Sequence, residues 1–253
     1  DSRDNHFFKI GSSGSFFTFN RGLSSFLQSL LEFQLKLTGF VMKKYFLGGF
    51  FWVFLIQSAF AQSISNNALP TNPNIASGSA TITQNSNQLT INQATDKLIT
   101  NWSTFNIGKD ATVQFNQPSS KSSALNRVNS SDPSYIFGNL KANGQVILIN
   151  QSGVIFGNGA RVDAGGIVAS TLNIKDTDFL NNKYIFERDT NSQAGSIENN
   201  GSINAFAGGT VALIGSQVTN NGKIKTKQGT TALLAGDKVT LTLNGNRLIK
   251  YTI

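Results

Sequence analysis

Two windows of 21 residues stand end to end near the C-terminal end of the sequence and repeat one another. Asn199–Thr219 reads NNGSINAFAGGTVALIGSQVT and Asn220–Thr240 reads NNGKIKTKQGTTALLAGDKVT. They share Asn-Asn-Gly, Ile, Gly, Thr, Leu, Gly, Val and Thr in register without a gap. Short strands at that period, separated by Asn-Gly turns, are what one coil of a parallel β-helix requires. Coils stack at about 4.8 Å, so inward Val, Ile and Leu form ladders along the axis. Asn and Gly tolerate left-handed corners, and stacked Asn amides can hydrogen-bond from coil to coil. A sandwich with two similar hairpins is the competing reading; the gapless repeat favours the solenoid. Asn244-Gly245-Asn246 reads as the opening of a third copy. At this period the residues after Ala61 predict about nine coils, roughly 40 Å of solenoid.

Period-two alternation extends the all-β reading upstream. Gln88–Asn92 places Leu89 and Ile91 on one face, and Ser79–Gln84, Thr112–Phe115 and Gly195–Ile203 behave similarly. Val146–Ile149 is a continuous apolar run, the pattern of a strand covered on both faces. No segment after Ala61 carries a helical stripe longer than about two turns. An open solenoid end is an aggregation edge, so the N-terminal end needs a cap, and the less periodic Ser79–Val128 is the candidate. Lys175–Gln193 reads as a turn-rich, solvated insertion. Lys250–Ile253 stops within a strand pattern, which predicts that a longer protein continues past it.

The chain divides sharply at Ala61: residues 1–61 hold 13 of the 20 Phe, whereas the remainder holds 27 Asn. Met42, the single Met, is followed by Lys43-Lys44, an uncharged apolar run Tyr45–Ile56, and Ala59-x-Ala61 before Gln62. Those three parts in that order predict a secretory signal peptide over 42–61, with Ala59, Ala61 and Gln62 at its cleavage site. A transmembrane anchor is the rival, but a span needs roughly 20 apolar residues and this run breaks at Gln57-Ser58. Residues 1–41 read as upstream sequence translated in frame, or as a disordered extension. The secreted domain is then 62–253.

With no Cys, disulfide scaffolds, zinc-thiolate sites, iron–sulfur clusters and thiol nucleophiles are excluded. The one His, His6, precedes the signal segment, so His-based catalysis and ligation go too; no cofactor is expected. Formal charge over 62–253 is +5 and scattered, densest at Lys223, Lys225 and Lys227. On a strand these share one face, a solvated one. Nucleic acid is not an expected partner, because basic residues with interleaved aromatics are lacking.

The run Asn150-Gln151-Ser152-Gly153-Val154-Ile155-Phe156-Gly157, continuing through Ala160–Asp163 and Gly165–Thr171, resembles the centre of the secretion domain of two-partner-secretion exoproteins of the filamentous haemagglutinin and high-molecular-weight adhesin type. Thr90–Gln93, Asn101-Trp102 with Phe105–Ile107, Ala124–Val128, Gly138–Leu140 and Ala142–Val146 are similar to the same family. The resemblance is dense from Ala68 to Ile174 and thins to generic coils by about Leu243. It implies a right-handed parallel β-helix with an N-terminal β cap. It also implies export by the Sec machinery, then passage through a dedicated outer-membrane β-barrel transporter whose periplasmic domains recognise this domain, ending at the cell surface or in the medium of a Gram-negative bacterium. The sequence departs from the family's Asn-Pro-Asn-Gly element at Gln151 and Ser152, and losing Pro removes a fixed φ from that turn.

The expected role is a non-enzymatic secretion and recognition module heading a large exoprotein, an adhesin that meets a host-cell surface through its downstream region. Asn101, Trp102, Asn126, Arg127, Asn150, Gly153, Gly157, Arg161 and Asp163 are the candidates for transporter recognition. The alternative roles are structural: Trp102 in the core, Asn and Gly at corners, Arg in ion pairs. A β-helical polysaccharide-active enzyme is a second reading, with Asp176, Asp178, Glu187 and Asp189 as its acids; such chemistry needs carboxylates gathered from separate coils into one groove. Direct glycan binding is a third, for which no aromatic stacking platform stands out.

Overall fold

The computed structural model describes residues 64–190, 192 and 195–253. The expected signal peptide, its cleavage residues Ala59, Ala61 and Gln62, and the extension 1–41 lie outside them. The described chain is a parallel β-solenoid. Sheet 1 stacks Lys97–Trp102, Ser123–Val128, Gln145–Asn150, Gly166–Ser170, Thr210–Gly215 and Thr230–Ala235 in parallel. Sheet 2 stacks Gln88–Gln93, Thr112–Asn116, Asn139–Ala142, Arg161–Ala164, Ser202–Ala205 and Lys223–Thr226. Sheet 3, shorter, stacks Ser134–Ile136, Val154–Phe156, Ser196–Asn199 and Gln217–Asn220.

Every coil places the same column inside. Leu98, Ala124, Val146, Ile167 and Val211 share one register line in sheet 1. Leu89, Val113, Leu140, Val162 and Ile203 share another in sheet 2. All are buried, and each fully buried Val, Leu or Ile among them contributes about 1.5–3 kcal/mol. At the N-terminal end, Asn74–Ser77 and Ala80–Asn85 pair antiparallel with the first strands of sheets 1 and 2 and so close the stack. The cap is therefore smaller than the expected Ser79–Val128, most of which already lies in parallel coils.

The solenoid has about seven turns of roughly 22 residues, not nine of 21. Two segments leave the stack. One follows Ser170, forming Asn173–Ile174, the short helix Asp176–Leu180 and Tyr184–Glu187; the other is the hairpin Lys238–Asn244 and Arg247–Thr252. Together they make a four-stranded antiparallel outer sheet. It lies over the outward face of sheet 1, burying Ile99, Leu125, Ile147, Ile149, Val168 and Ile214 beneath Phe179, Phe186, Val239, Leu241 and Leu248. The double cover expected for Val146–Ile149 is thus present. Lys175–Gln193 is not merely solvated: Phe179 and Phe186 are fully buried. Asn244–Asn246 opens no third coil but turns the hairpin, with Gly245 at φ 57°. Gly195–Ile203 is two strands separated by a corner at Asn200-Gly201.

The gapless repeat also shifts in space. Ser202 pairs with Lys223, as the alignment requires, but Thr210 pairs with Thr230 instead of Thr231. The shorter turn after Thr226 slips the last sheet-1 strand by one residue, and such a slip exchanges its faces. Ala232 and Leu234 consequently face the outer sheet and are buried, while Leu233 joins the inward column of Leu213 at the end of the stack, 45% exposed.

Polar groups inside the coil are bonded in chains. Gln117 is the hub of the corner between sheets 2 and 1. Its amide nitrogen donates to Gln93 Oε1, Ser122 O and Gln145 O at 3.1–3.3 Å, and its oxygen accepts from Gly144 N at 2.8 Å. Farther along, Asn199 Nδ2 donates to Asn220 Oδ1 at 2.7 Å, one step of the expected corner ladder. Replacing Gln117 by Ala strands several buried partners; at about 1–3 kcal/mol per unmet group, Gln117→Ala is expected to lower the denaturant midpoint well below that of the exposed control Gln88→Ala.

The docked helix is held partly by Lys97, whose ammonium lies 4.4 Å from the Phe179 ring centre and donates to the Phe179 carbonyl. Burial lowers the Lys97 pKa from its ordinary 10.5. Burial likewise raises the Tyr184 phenol above 10.0, with a Ser123 hydrogen bond pulling the other way. For Tyr184 the folded state holds its proton longer than the unfolded chain, so its contribution is intact below pH 10.0 and is lost as pH rises through the folded pKa. Lys97 has the opposite sign: charging it while buried costs stability, and that cost disappears as pH climbs through its lowered pKa. Tyr184→Phe is expected to flatten the fall in unfolding free energy above pH 10, measured by denaturation across pH 9–12, whereas Lys97→Met should remove a rise in stability that the parent shows as pH approaches 10.5 from below.

Candidate functional site

The corner between sheets 1 and 3 and the insertion enclose a polar groove of about 540 Å³, lined by Arg127, Asn129, Ser130, Ser131, Gln151, Ser152, Asn173 and Asp189 among others. Alternation along Ser123–Val128 builds one side. Ala124, Asn126 and Val128 point into the coil, and Leu125 and Arg127 point out under the insertion. Arg127 uses its whole fork. Nε donates to Asn173 Oδ1 at 3.0 Å, Nη1 to Asn101 Oδ1 at 3.2 Å, and Nη2 to the Ile174 carbonyl at 2.8 Å and Asp176 Oδ1 at 2.7 Å. A planar guanidinium suits this divergent set in a way an ammonium does not. The Arg127–Asp176 pair ties the insertion to sheet 1.

Asn150-Gln151-Ser152-Gly153 forms the facing turn. Asn150 is buried; its Nδ2 donates to Asp132 O at 3.1 Å and Ser134 Oγ at 2.9 Å, and its Oδ1 accepts from Ser152 N at 3.0 Å. Ser152 Oγ donates to Ser130 O at 2.9 Å. Gly153 has φ 127°, and a Cβ there would meet Ser196 O at 2.9 Å, so the position requires glycine. These bonds fix the turn without the family's Pro. Gln151, standing in that Pro position, donates instead to Asp189 Oδ2, which also accepts from Asn173 Nδ2 at 3.1 Å.

The nine candidate residues therefore separate. Asn101, Arg127, Asn150 and Gly153 gather at the groove. Trp102 and Asn126 lie within the coil below it, bonded to each other from Nε1 to Oδ1 at 3.0 Å, with Trp102 edge-on to Phe105 at 5.5 Å. Gly157 is at a different corner, where a Cβ would lie 2.0 Å from the Phe137 ring. Arg161 and Asp163 are on the outer face of sheet 2, Asp163 accepting from Asn204 at 3.0 Å. Sequence reading missed Gln151, Asn173 and Asp189 as neighbours, because Asp189 reaches the groove only when the insertion folds back. Asp189 is the single carboxylate lining the groove, and among the described residues no cluster of three metal-ligating side chains occurs. Paired acid and base chemistry would need two carboxylates facing one substrate.

Stacked coils with an antiparallel N-terminal cap, a coil-breaking insertion and a bonded Asn–Gly corner define a capped parallel β-solenoid. A family model described as the TPS secretion domain matches residues 61–250, and the chain belongs to that family: it is the secretion domain of a two-partner-secretion exoprotein. The family is a non-catalytic export domain, of exoproteins secreted by Gram-negative bacteria. In structure the chain is similar to the crystal structure of the HMW1 secretion domain from Haemophilus influenzae, with 34% identity and a TM-score of 0.68, covering 72% of this chain and 49% of that one. In sequence it is similar to two proteins of Haemophilus influenzae named heme/hemopexin-binding protein. They are 37% identical over 107 residues and 39% identical over 103, spanning 42% and 41% of this chain. The matched segments span only 12% and 11% of those relatives' length.

Arg127→Met is expected to free the insertion. Hydrogen exchange should accelerate over 173–190 with little change in the coil interior, at a stability cost of about 1–3 kcal/mol for the lost charge-assisted bonds. Arg127→Lys should recover only part of it.

Proposed function

We propose that the groove beside Arg127 is where the periplasmic domains of a dedicated outer-membrane β-barrel transporter take hold of this domain. The chain then crosses the barrel unfolded and folds outside, coil upon coil, ahead of a surface adhesin passenger. The observation that carries the recognition reading is the packing of the corner: Asn150, Gly153, Arg127 and Gln151 spend their polar atoms and conformations on holding it, which leaves the exposed Asn129 and Ser131 as its outward rim. Trp102 and Asn126 support that rim from inside. Exposed hydroxyls and amides on a fixed corner suit reversible recognition, with low conformational cost on binding. The absence of Cys suits threading, since no periplasmic disulfide can lock a loop in the chain. Solenoid growth, which needs only nearest-neighbour contacts, suits folding on emergence. Similarity to the heme/hemopexin-binding proteins is confined to 12% and 11% of their length, so heme or hemopexin recognition is not carried over with it.

The test is secretion of residues 42–253 in a Gram-negative host with and without the partner transporter. Material beginning at Gln62 is expected in the medium only when the transporter is present. Filling the groove with Asn129→Trp and Ser131→Trp should drop secretion to the transporter-free level without lowering the unfolding midpoint, while Lys250→Trp on the outer sheet leaves secretion intact. Normal export of the filled groove would refute the assignment of this rim.

A further inference from the structure

The outer face of sheet 2 carries charge that neither the fold nor the groove uses. Parallel register sets Arg161, Ser202 and Lys223 in one outward column. It sets Lys141, Asp163, Asn204 and Lys225 in the next. Their inward neighbours are the apolar ladder, so these side chains point to solvent, and all four cations are exposed. Lys227 follows at the edge, in the turn after the strand. None of these cations belongs to an ion pair of the described residues, which are Lys109–Asp110, Arg127–Asp176, Arg188–Asp237 and Lys238–Glu187. The one carboxylate in the two columns, Asp163, accepts from Asn204.

We infer that this face binds a linear anionic polysaccharide. Charge complementarity is the first reason: an unpaired cationic array on a rigid surface attracts a polyanion. Geometry is the second. Rungs about 4.8 Å apart put Arg161 and Lys223 about 10 Å apart and Lys141 and Lys225 about 14 Å apart, while Lys223 and Lys225 are about 6.6 Å apart along the strand. That is a flat grid for an extended chain, not a pocket for a single anion. The intervening Asn139, Ser202 and Asn204 offer neutral donors and acceptors suited to sugar hydroxyls. Neither column presents an outward apolar or aromatic side chain. A membrane surface would want an apolar anchor there, and single-stranded nucleic acid a stacking ring.

The exported protein, collected from the medium, is titrated against heparin as the sulfated linear probe, with dextran as the neutral one, at several salt concentrations. Binding to heparin and none to dextran is expected. The triple variant Arg161→Gln, Lys223→Gln, Lys225→Gln should lower the slope of log affinity against log salt by about three, one for each contact removed, with an unchanged unfolding midpoint. The charge-matched control Lys109→Gln, Lys238→Gln, Lys250→Gln should bind as the parent does. Equal weakening by the control would overturn the inference. So would binding of duplex DNA or anionic phosphatidylglycerol vesicles as tightly as heparin, lost by the same triple substitution.

Discussion

Sheet 1 is apolar on both faces, and most of the molecule is arranged to satisfy that condition. Its inward columns close the coil interior with sheets 2 and 3. Its outward residues, Ile99, Leu125, Ile147, Ile149, Val168 and Ile214, cannot remain in water. Parallel coils offer no second layer of their own, so chain must leave the stack to provide one. The insertion after Ser170 and the Lys238–Thr252 hairpin do so from separate places in the sequence, pairing Tyr184–Glu187 with Lys238–Asn244 antiparallel. Arg127 and Lys97 then pin the insertion with polar contacts at its margins.

That arrangement affects the export role. The coil interior is assembled by contacts between successive turns and can grow in chain order. The outer cover cannot be completed that way, because its sheet joins residues near 185 to residues near 240. In the proposed folding on emergence, the outward face of sheet 1 is an apolar surface awaiting its cover until the hairpin arrives. The antiparallel cap closes the other end early, since its two strands immediately precede the first coils in sequence. Early closure at the start and late closure on the side suit the proposed folding in chain order.

The two proposed surfaces are built by different means. The groove is a product of corners: an Asn–Gly turn, a guanidinium fork and a returning insertion, held by the bonds of Asn150, Ser152 and Arg127. The cationic face is a product of register alone. Lys141 and Arg161 come from two coils and Lys223 and Lys225 from a third, and only the stacking of those coils makes them neighbours. In the sequence the last two, with Lys227, read as a solvated edge; Arg161 and Lys141 supply the rest of the array from 60 to 80 residues upstream.

The amino-acid sequence determined the coil. Period-two alternation, the 21-residue repeat and Asn–Gly corners dictate it, because each depends on local backbone preference and on burial that recurs every turn. It also determined the family, since the Asn150–Thr171 run and the blocks before it stand in order along the chain. What the tertiary structure decided were the departures from periodicity. The shorter turn after Thr226 slipped the last strand by one residue and exchanged its buried face; the alignment of Thr210 with Thr231 gave no sign of it. Lys175–Gln193 read as solvated because, beyond the local Phe179–Tyr184 contact, the residues that bury Phe179 and Phe186 lie on sheet 1 and the hairpin, far away in sequence. Trp102 and Asn126 went inward, while Arg127, one residue on, faced out to the insertion, because strand alternation fixes opposite faces but only packing determines what covers each one.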